Sequence, residues 1–428
     1  MLLTIEKLIY GGDGLARIAG NDGRNKAVFV PFVIDGERVE ASTVEEKPGF
    51  ARAGLDNVVE ASAQRVDPPC PHFFRCGGCQ YQHISYEHQL QAKAAIQLES
   101  LQRVAKVTRT EPPIIHASPP WNYRNRTRMK VHTLGEFAIG YYRFRSHELL
   151  PVSECPISSP LINQALAKIW ELGRTGNIRG VEEIEFFADA DDQRLLIELF
   201  AADPHSADVL RTAEAIGAAM PEVAGVWAFR RQRDEEAPPS EGTLLSGDRA
   251  LTYRTAHNDY RVSGGAFFQT NRHLTDALVS LVCDEEHGTL ALDLYAGVGL
   301  FSLALAKSFD KVTAAEIAPT SADDLHANAP RNVKAVRATA EDFLQRNPPK
   351  QRPDLVVVDP PRGGLGKRVT DALARLAPTR IIYVSCDPTT LARDLHALLG
   401  AGYKVSELHL VDLFPQTFHM ESVVKLSR

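Results

Sequence analysis

No stretch of this sequence approaches the roughly eighteen consecutive apolar residues of a membrane-spanning helix. Its first residues, Met1-Leu-Leu-Thr-Ile-Glu-Lys7, lack the layout of a signal peptide. These absences lead to the expectation of a cytoplasmic protein with no membrane partner. Excess charge is also scarce: a formal net charge of -6 over 428 residues argues against indiscriminate nucleic-acid binding, although a local basic groove remains compatible with it. Cysteine is sparse and uneven. The six are Cys70, Cys76, Cys79, Cys155, Cys283 and Cys386, a distribution that favours metal binding and catalysis over disulfides.

What is present is a globular composition, 44% hydrophobic and 24% charged, in a chain too long for one ordinary domain. Two β-branched runs near the C-terminal end stop abruptly at polar corners that bear proline. These are Leu355-Val-Val-Val-Asp-Pro-Pro-Arg362 and Ile381-Ile-Tyr-Val-Ser-Cys-Asp-Pro388. Buried parallel strands end in this way when they deliver reactive side chains to one sheet edge. Together with Phe414-Pro-Gln-Thr-Phe-His-Met-Glu421, they would present Asp359, Cys386 and Glu421 at a common edge. A thiol flanked by carboxylates suits covalent attack followed by proton removal. Cys283 lies within a helical run and reads as packing.

Upstream, Thr289 to Ala306 reads as strand, glycine turn and helix, with Gly297 and Gly299 allowing close backbone approach to a ligand. Ser302 stands where a dinucleotide site would place a third glycine, which disfavours NAD. Glu316 ends the next apolar run, where a carboxylate can accept both hydroxyls of a ribose. The succession strand-glycine, strand-acid, strand-Asp-Pro-Pro predicts a doubly wound α/β sheet.

The N-terminal 60 residues alternate short apolar runs with glycine turns, as in a small β-barrel. Three thiols follow at Cys70, Cys76 and Cys79, with Cys155 far downstream; such a set could close an iron–sulfur cluster or hold zinc tetrahedrally. From Tyr86, apolar residues at Leu90, Ala94, Leu98 and Leu101 predict a packing helix. Residues 121 to 145 interleave aromatics with six basic residues, Arg124, Arg126, Arg128, Lys130, Arg143 and Arg145, against Glu136 alone. That pattern suits either phosphate contact with base stacking or a hairpin with one solvated basic face. Residues 160 to about 260 show only core periodicity, and Arg230 to Glu241 reads as a surface loop. A helix is expected from Leu274 to Val282.

The motifs Asp359-Pro-Pro-Arg362, Ser385-Cys-Asp-Pro388 and His419-Met-Glu-Ser422 resemble, in order and spacing, those of the RNA 5-methyluridine methyltransferases, and the resemblance runs the length of the chain. It implies a Rossmann-like class I methyltransferase domain at 263–428, a TRAM-like RNA-binding β-barrel, OB-like, at 1–62, and a central α+β domain with an iron–sulfur cluster at 63–262. It further implies S-adenosylmethionine held by Gln269, Tyr295, Gly297, Gly299, Glu316 and Asp359, and a [4Fe-4S] cluster on Cys70, Cys76, Cys79 and Cys155. Cys386 would add to C6 of uracil and Glu421 would remove the C5 proton. The expected substrate is 23S rRNA, with the tRNA T-loop as the alternative and no obligate protein partner; a non-catalytic RNA-binding factor is the reading from another class. Arg362 after Pro361 speaks against the cytosine-5 class, whose motif usually ends in cysteine, whereas Asp387 replaces a common asparagine and should disfavour the thiolate.

Overall fold

The computed structural model describes residues 1–19, 25–107, 111–231, 241–346 and 348–428, so most of the expected 230–241 loop lies outside the described residues. Three large sheets succeed one another along the chain. The last has eight strands in the order Val333–Arg337, Phe309–Glu316, Gly288–Leu294, Leu355–Val358, Arg380–Ser385, Glu421–Ser427, Lys404–Val411 and Ile114–His116. Its first five strands run parallel, and Glu421–Ser427 is inserted antiparallel beside Arg380–Ser385.

The apolar runs form these strands because alternate side chains feed two separate cores. Ala291, Val357, Ile382 and Val423 enter one, whereas Leu292, Val356, Tyr383 and Val424 enter the other. Helices cover both faces, as the doubly wound expectation requires. The eighth strand comes from far upstream: Ile114–His116 pairs with His409 to Val411.

The middle sheet has seven strands between Arg126 and Gly247, with helices Pro160–Arg174 and Ala207–Ala219 packed on its apolar face. The N-terminal sheet is six-stranded and curled, spans Leu2 to Glu60, and carries register shifts along Arg38–Glu46 that bend it around a small core of Leu3, Val28, Val39 and Ala51. The helix after Leu274 occurs as Thr275–Cys283 and buries Cys283.

Helix Tyr86–Ser100 forms as expected but presents a different face to the interior. It buries Gln89, Lys93, Ala94, Ile96 and Gln97, and leaves Leu90 and Leu98 half-buried. No helix among the described residues is long and apolar enough to cross a membrane.

Candidate active site

Strand register alone explains how two distant motifs meet. Ser385 pairs across the sheet with Ser422, so the next positions outward are Cys386 and Glu421. Cys386 occupies the turn between strand Arg380–Ser385 and helix Pro388–Gly400. Asp387 caps that helix, its Oδ1 accepting from the amides of Thr389 at 2.8 Å and Thr390 at 2.9 Å. Asp359 follows Val358, whose strand pairs in parallel with the cysteine strand.

The electrostatics record the closeness of the three groups. Burial, with Glu421 and Asp359 beside it, pushes the Cys386 thiol up to about 12; Arg362 opposes this, and Asp387 adds to the rise as expected from sequence. Glu421 is only 5% exposed, and burial together with Asp359 holds its carboxyl well above the usual range. Among the described residues its Oε1 has no hydrogen-bond partner. Asp359 itself is raised to about 7 by burial and by Asp293. Without substrate, the site is an acidic cleft with its sulfur protonated.

A second group lies along the same edge. The Ser302 hydroxyl donates to Asp293, whose carboxyl burial raises to about 7. Glu316 accepts from the amides of Gly297 at 2.9 Å and Ala318 at 2.6 Å. Gly297 and Gly299 adopt φ of 57° and 100°, and Tyr295 bears the same left-handed strain at 66° without being glycine. Glycine is required at 299: an added Cβ would lie 2.7 Å from Leu303 Cδ1. Gln269 is buried and tied to the middle sheet, its carbonyl accepting from Asn125 Nδ2 at 3.0 Å. Phe267, two residues before it, is 58% exposed.

Cys70, Cys76, Cys79 and Cys155 come together around one cavity with Phe73, Tyr141, Val152 and Pro156. Burial and the neighbouring sulfurs raise three of these thiols, Cys76 to about 11. Although they share this cavity, the four thiols as placed here do not form a metal-holding group, and no other group of three or more His, Cys, Asp or Glu does so among the described residues.

Most cations of the basic block are engaged by carboxylates of the same chain. Arg126, Arg128 and Lys130 share one face of strand Arg126–His132, directly opposite Phe187, Glu185 and Glu183 on the next strand. Arg128 Nε lies 2.6 Å from Glu185 and Lys130 Nζ 2.8 Å from Glu183. Arg143 pairs with Glu148, Arg145 with Asp13, and Arg124 lies half-buried beside the cysteines. Arg126 also donates to the carbonyl of Ala266 at 2.7 Å, bracing the loop that carries Gln269. Five of the six cations thus face carboxylates, of Glu183, Glu185, Glu148 and Asp13, and these pairs brace the strands and turns they join.

What sequence reasoning missed is the support of the loop leading to Glu421. Lys93 Nζ meets Asp412 Oδ1 at 2.6 Å with both side chains 0% exposed, and also reaches the carbonyl of Phe414 at 3.0 Å. Gln89 and Gln416 exchange hydrogen bonds of 3.0 Å, and Gln97 donates to Ser422 Oγ at 2.8 Å. Gln80 and Tyr81, next after Cys79, donate their amides to the carbonyl of Gln416 at 3.1 and 3.0 Å. The available signal was a polar residue every fourth position, Gln89, Lys93 and Gln97, on one helical face. His419 in this loop is held neutral, its ring pushed down to about 3 by burial and by Arg362, Arg124 and Lys93.

Comparison with known proteins bears on this arrangement. Residues 246–428 match the family described as tRNA (Uracil-5-)-methyltransferase. The chain is 35% identical to an RNA methyltransferase of Aquifex aeolicus, covering 99% of this chain and 97% of that one. It is 32% identical to one of Halalkalibacterium halodurans, covering 99% and 96%. Its fold is similar to that of the Pyrococcus abyssi tRNA (uracil-54, C5)-methyltransferase crystallised with S-adenosyl-L-homocysteine, with a TM-score of 0.76 and 24% identity over 100% of both chains.

Proposed function

This chain belongs to the RNA (uracil-5-)-methyltransferase family, and from that premise we propose that it methylates C5 of one uridine in structured RNA, using S-adenosylmethionine, with Cys386 as nucleophile and Glu421 as base. The observation that carries the assignment is the cross-strand register that sets Cys386 against Glu421 with Asp359 alongside.

Uracil C5 is too poor a nucleophile to attack a methyl sulfonium unaided. Loss of the thiol proton lets the Cys386 sulfur bond to C6, which places the charge on the C5–C4–O4 enolate. S-adenosylmethionine, when bound, would supply the methyl group to C5 and leave as S-adenosylhomocysteine. Glu421 accepts the remaining C5 proton, the C–H electron pair restores the C5=C6 double bond, and the S–C6 bond breaks. Burial raises the pKa of the Glu421 carboxyl, which makes it a stronger proton acceptor once ionised. Gln269, Tyr295, Gly297, Gly299, Glu316 and Asp359 would hold the methyl donor along the strand edge, and Arg362, exposed at the mouth, would meet a phosphate. The target base reaches the sulfur only when flipped out or presented in a loop, at a cost of a few kcal/mol.

The proposed parts are a TRAM-like barrel at 1–62, a cluster-bearing domain at 63–262 and the methyltransferase domain at 263–428. A [4Fe-4S] cluster is proposed on the four thiols around that cavity, which ligation would draw closer together than they stand here; a bound metal would offset what burial costs the thiolates of Cys70, Cys76 and Cys79. Arg124, half-buried beside Cys79 and Cys155 with an Nε that has no hydrogen-bond partner among the described residues, offers a cation to the negative charge of a ligated cluster. Zinc would use the same ligands, and iron content with visible absorbance decides between the two. An RNA substrate is the reason to retain a cytoplasmic location.

Large-subunit 23S rRNA is the first substrate reading. The tRNA T-loop is the second, favoured by the family description and by the substrate named for the Pyrococcus abyssi enzyme. The deciding experiment incubates anaerobically purified protein with labelled S-adenosylmethionine and either unmodified RNA, then maps 5-methyluridine by nuclease digestion and mass spectrometry. Methylation of one RNA that is lost in Cys386→Ala supports the reading and selects the substrate. Absence of product on both RNAs, with metal and cofactor bound, overturns it.

A further inference from the structure

The turn between strands Lys7–Leu8 and Asp13–Ala19 reaches out of the N-terminal sheet into the cleft. Gly11 and Gly12 take φ of 105° and 91°, and the amide of Ile9 donates to the carbonyl of Asp13 at 2.9 Å, which closes the turn. Arg145 bonds both oxygens of Asp13, at 2.8 and 2.7 Å, and so ties the turn to the middle sheet. A Cβ on Gly12 would meet Gln80 at 3.0 Å and Phe418 at 3.4 Å, so the turn is wedged between the cysteine loop and the base loop.

Tyr10 stands at its head. The phenol donates to the carbonyl of Cys386 at 3.3 Å, and its ring meets Phe418 edge-on with centroids 5.4 Å apart. Phe418 in turn lies against His419, at 4.1 Å, two residues before Glu421. The carbonyl of Cys386 lies outside the helical ladder, whose first bond is accepted by Asp387. Burial and the nearby Asp387 push the phenol pKa upward, so it remains a donor throughout the working pH range.

We propose that Tyr10 is a positioning residue for the methyl transfer: it fixes the Cys386 peptide against the base loop, so that the N-terminal sheet completes the catalytic site. The inference rests on the function proposed above. A sulfur approaching C6 must be held within about 3–3.5 Å along one direction, and rotation of its own peptide swings it off that line.

The test compares full-length wild type, Tyr10→Phe and Tyr10→Ala, in complex with their metal. Steady-state kcat and KM are measured on the methylated RNA, together with the single-turnover rate of adduct formation on 5-fluorouridine RNA, whose fluorine blocks release. Tyr10→Phe is expected to keep the wild-type melting temperature, cofactor affinity and KM while slowing adduct formation by roughly three- to tenfold, the loss of one hydrogen bond; Tyr10→Ala should be slower still. An unchanged adduct rate in Tyr10→Phe overturns the proposal, as does a defect found only in KM, which marks an RNA contact, or only in melting temperature. Wild type that makes no 5-methyluridine overturns the underlying function as well, and that control separates the two failures.

Discussion

At the scale of the residue, roles divide by what each side chain can no longer do once it is buried. Cys386, its thiol raised to about 12, is inert at rest, whereas Glu421 has an oxygen with no hydrogen-bond partner among the described residues and a raised pKa suited to receiving a proton. Replacing Glu421 by Gln should permit addition and methyl transfer but block release. The expected result is a slow-decaying covalent complex on denaturing gels and turnover lowered by roughly 10²–10⁴. Asp359 adds a dependence of stability on pH. Its folded pKa of about 7 lies above the ordinary 3.8, so the folded state holds the proton longer; the associated stability is complete below pH about 4 and lost as pH rises through about 7. Asp359→Asn should therefore melt higher than wild type at pH 8, match it at pH 4, and lose activity throughout, as thermal melts and initial rates will register.

At the scale of the element, helix Tyr86–Ser100 is the clearest case of a role hidden by composition. Its apolar spacing is real, yet the buried face includes Gln89, Lys93 and Gln97, which hold the loop bearing Glu421. Lys93→Met leaves Asp412 buried and uncompensated, and chemical denaturation should show a loss of about 3–5 kcal/mol. The pair Lys93→Met with Asp412→Leu should recover most of that loss, because the uncompensated charge is gone. The partner of Lys93 lies 319 positions away, so no local pattern could distinguish a clamp from a solvated stripe. The same reason explains the basic block: Arg128 and Lys130 look free in sequence, and their glutamates arrive only with the adjacent strand. At the glycine turn, Gly299→Val would force a side chain onto Leu303 at a φ of 100°, and cofactor binding by calorimetry should fall below detection.

At the scale of the whole molecule, three segments far apart in sequence converge on the loop at 412–421 and the turn of Cys386. The curled sheet sends Tyr10, the cysteine segment gives the amides of Gln80 and Tyr81, and the middle region contributes Tyr123, whose hydroxyl donates to the carbonyl of Pro415 at 3.0 Å. Order in the cysteine pocket is thereby transmitted to residues 412–421. With the proposed cluster bound, Cys79→Ser should release it and raise amide exchange across that loop, while exchange in strand Leu355–Val358, buried at the centre of its sheet, stays at the wild-type rate. Equal exchange in both proteins would sever the link.

The sequence by itself determined the local chemistry: which strands end in reactive residues, where glycine must admit a left-handed backbone, and which thiols belong to the cluster-like spacing rather than to the core. These are decided within a few residues, by β-branched runs, φ restrictions and proline, and therefore survive in one dimension. Tertiary structure alone decided the pairings: Cys386 against Glu421, Lys93 with Asp412, Arg128 with Glu185, and Tyr10 on the peptide of Cys386. The physical reason is that burial sets the strength of a charge or hydrogen bond, and burial belongs to the folded chain as a whole.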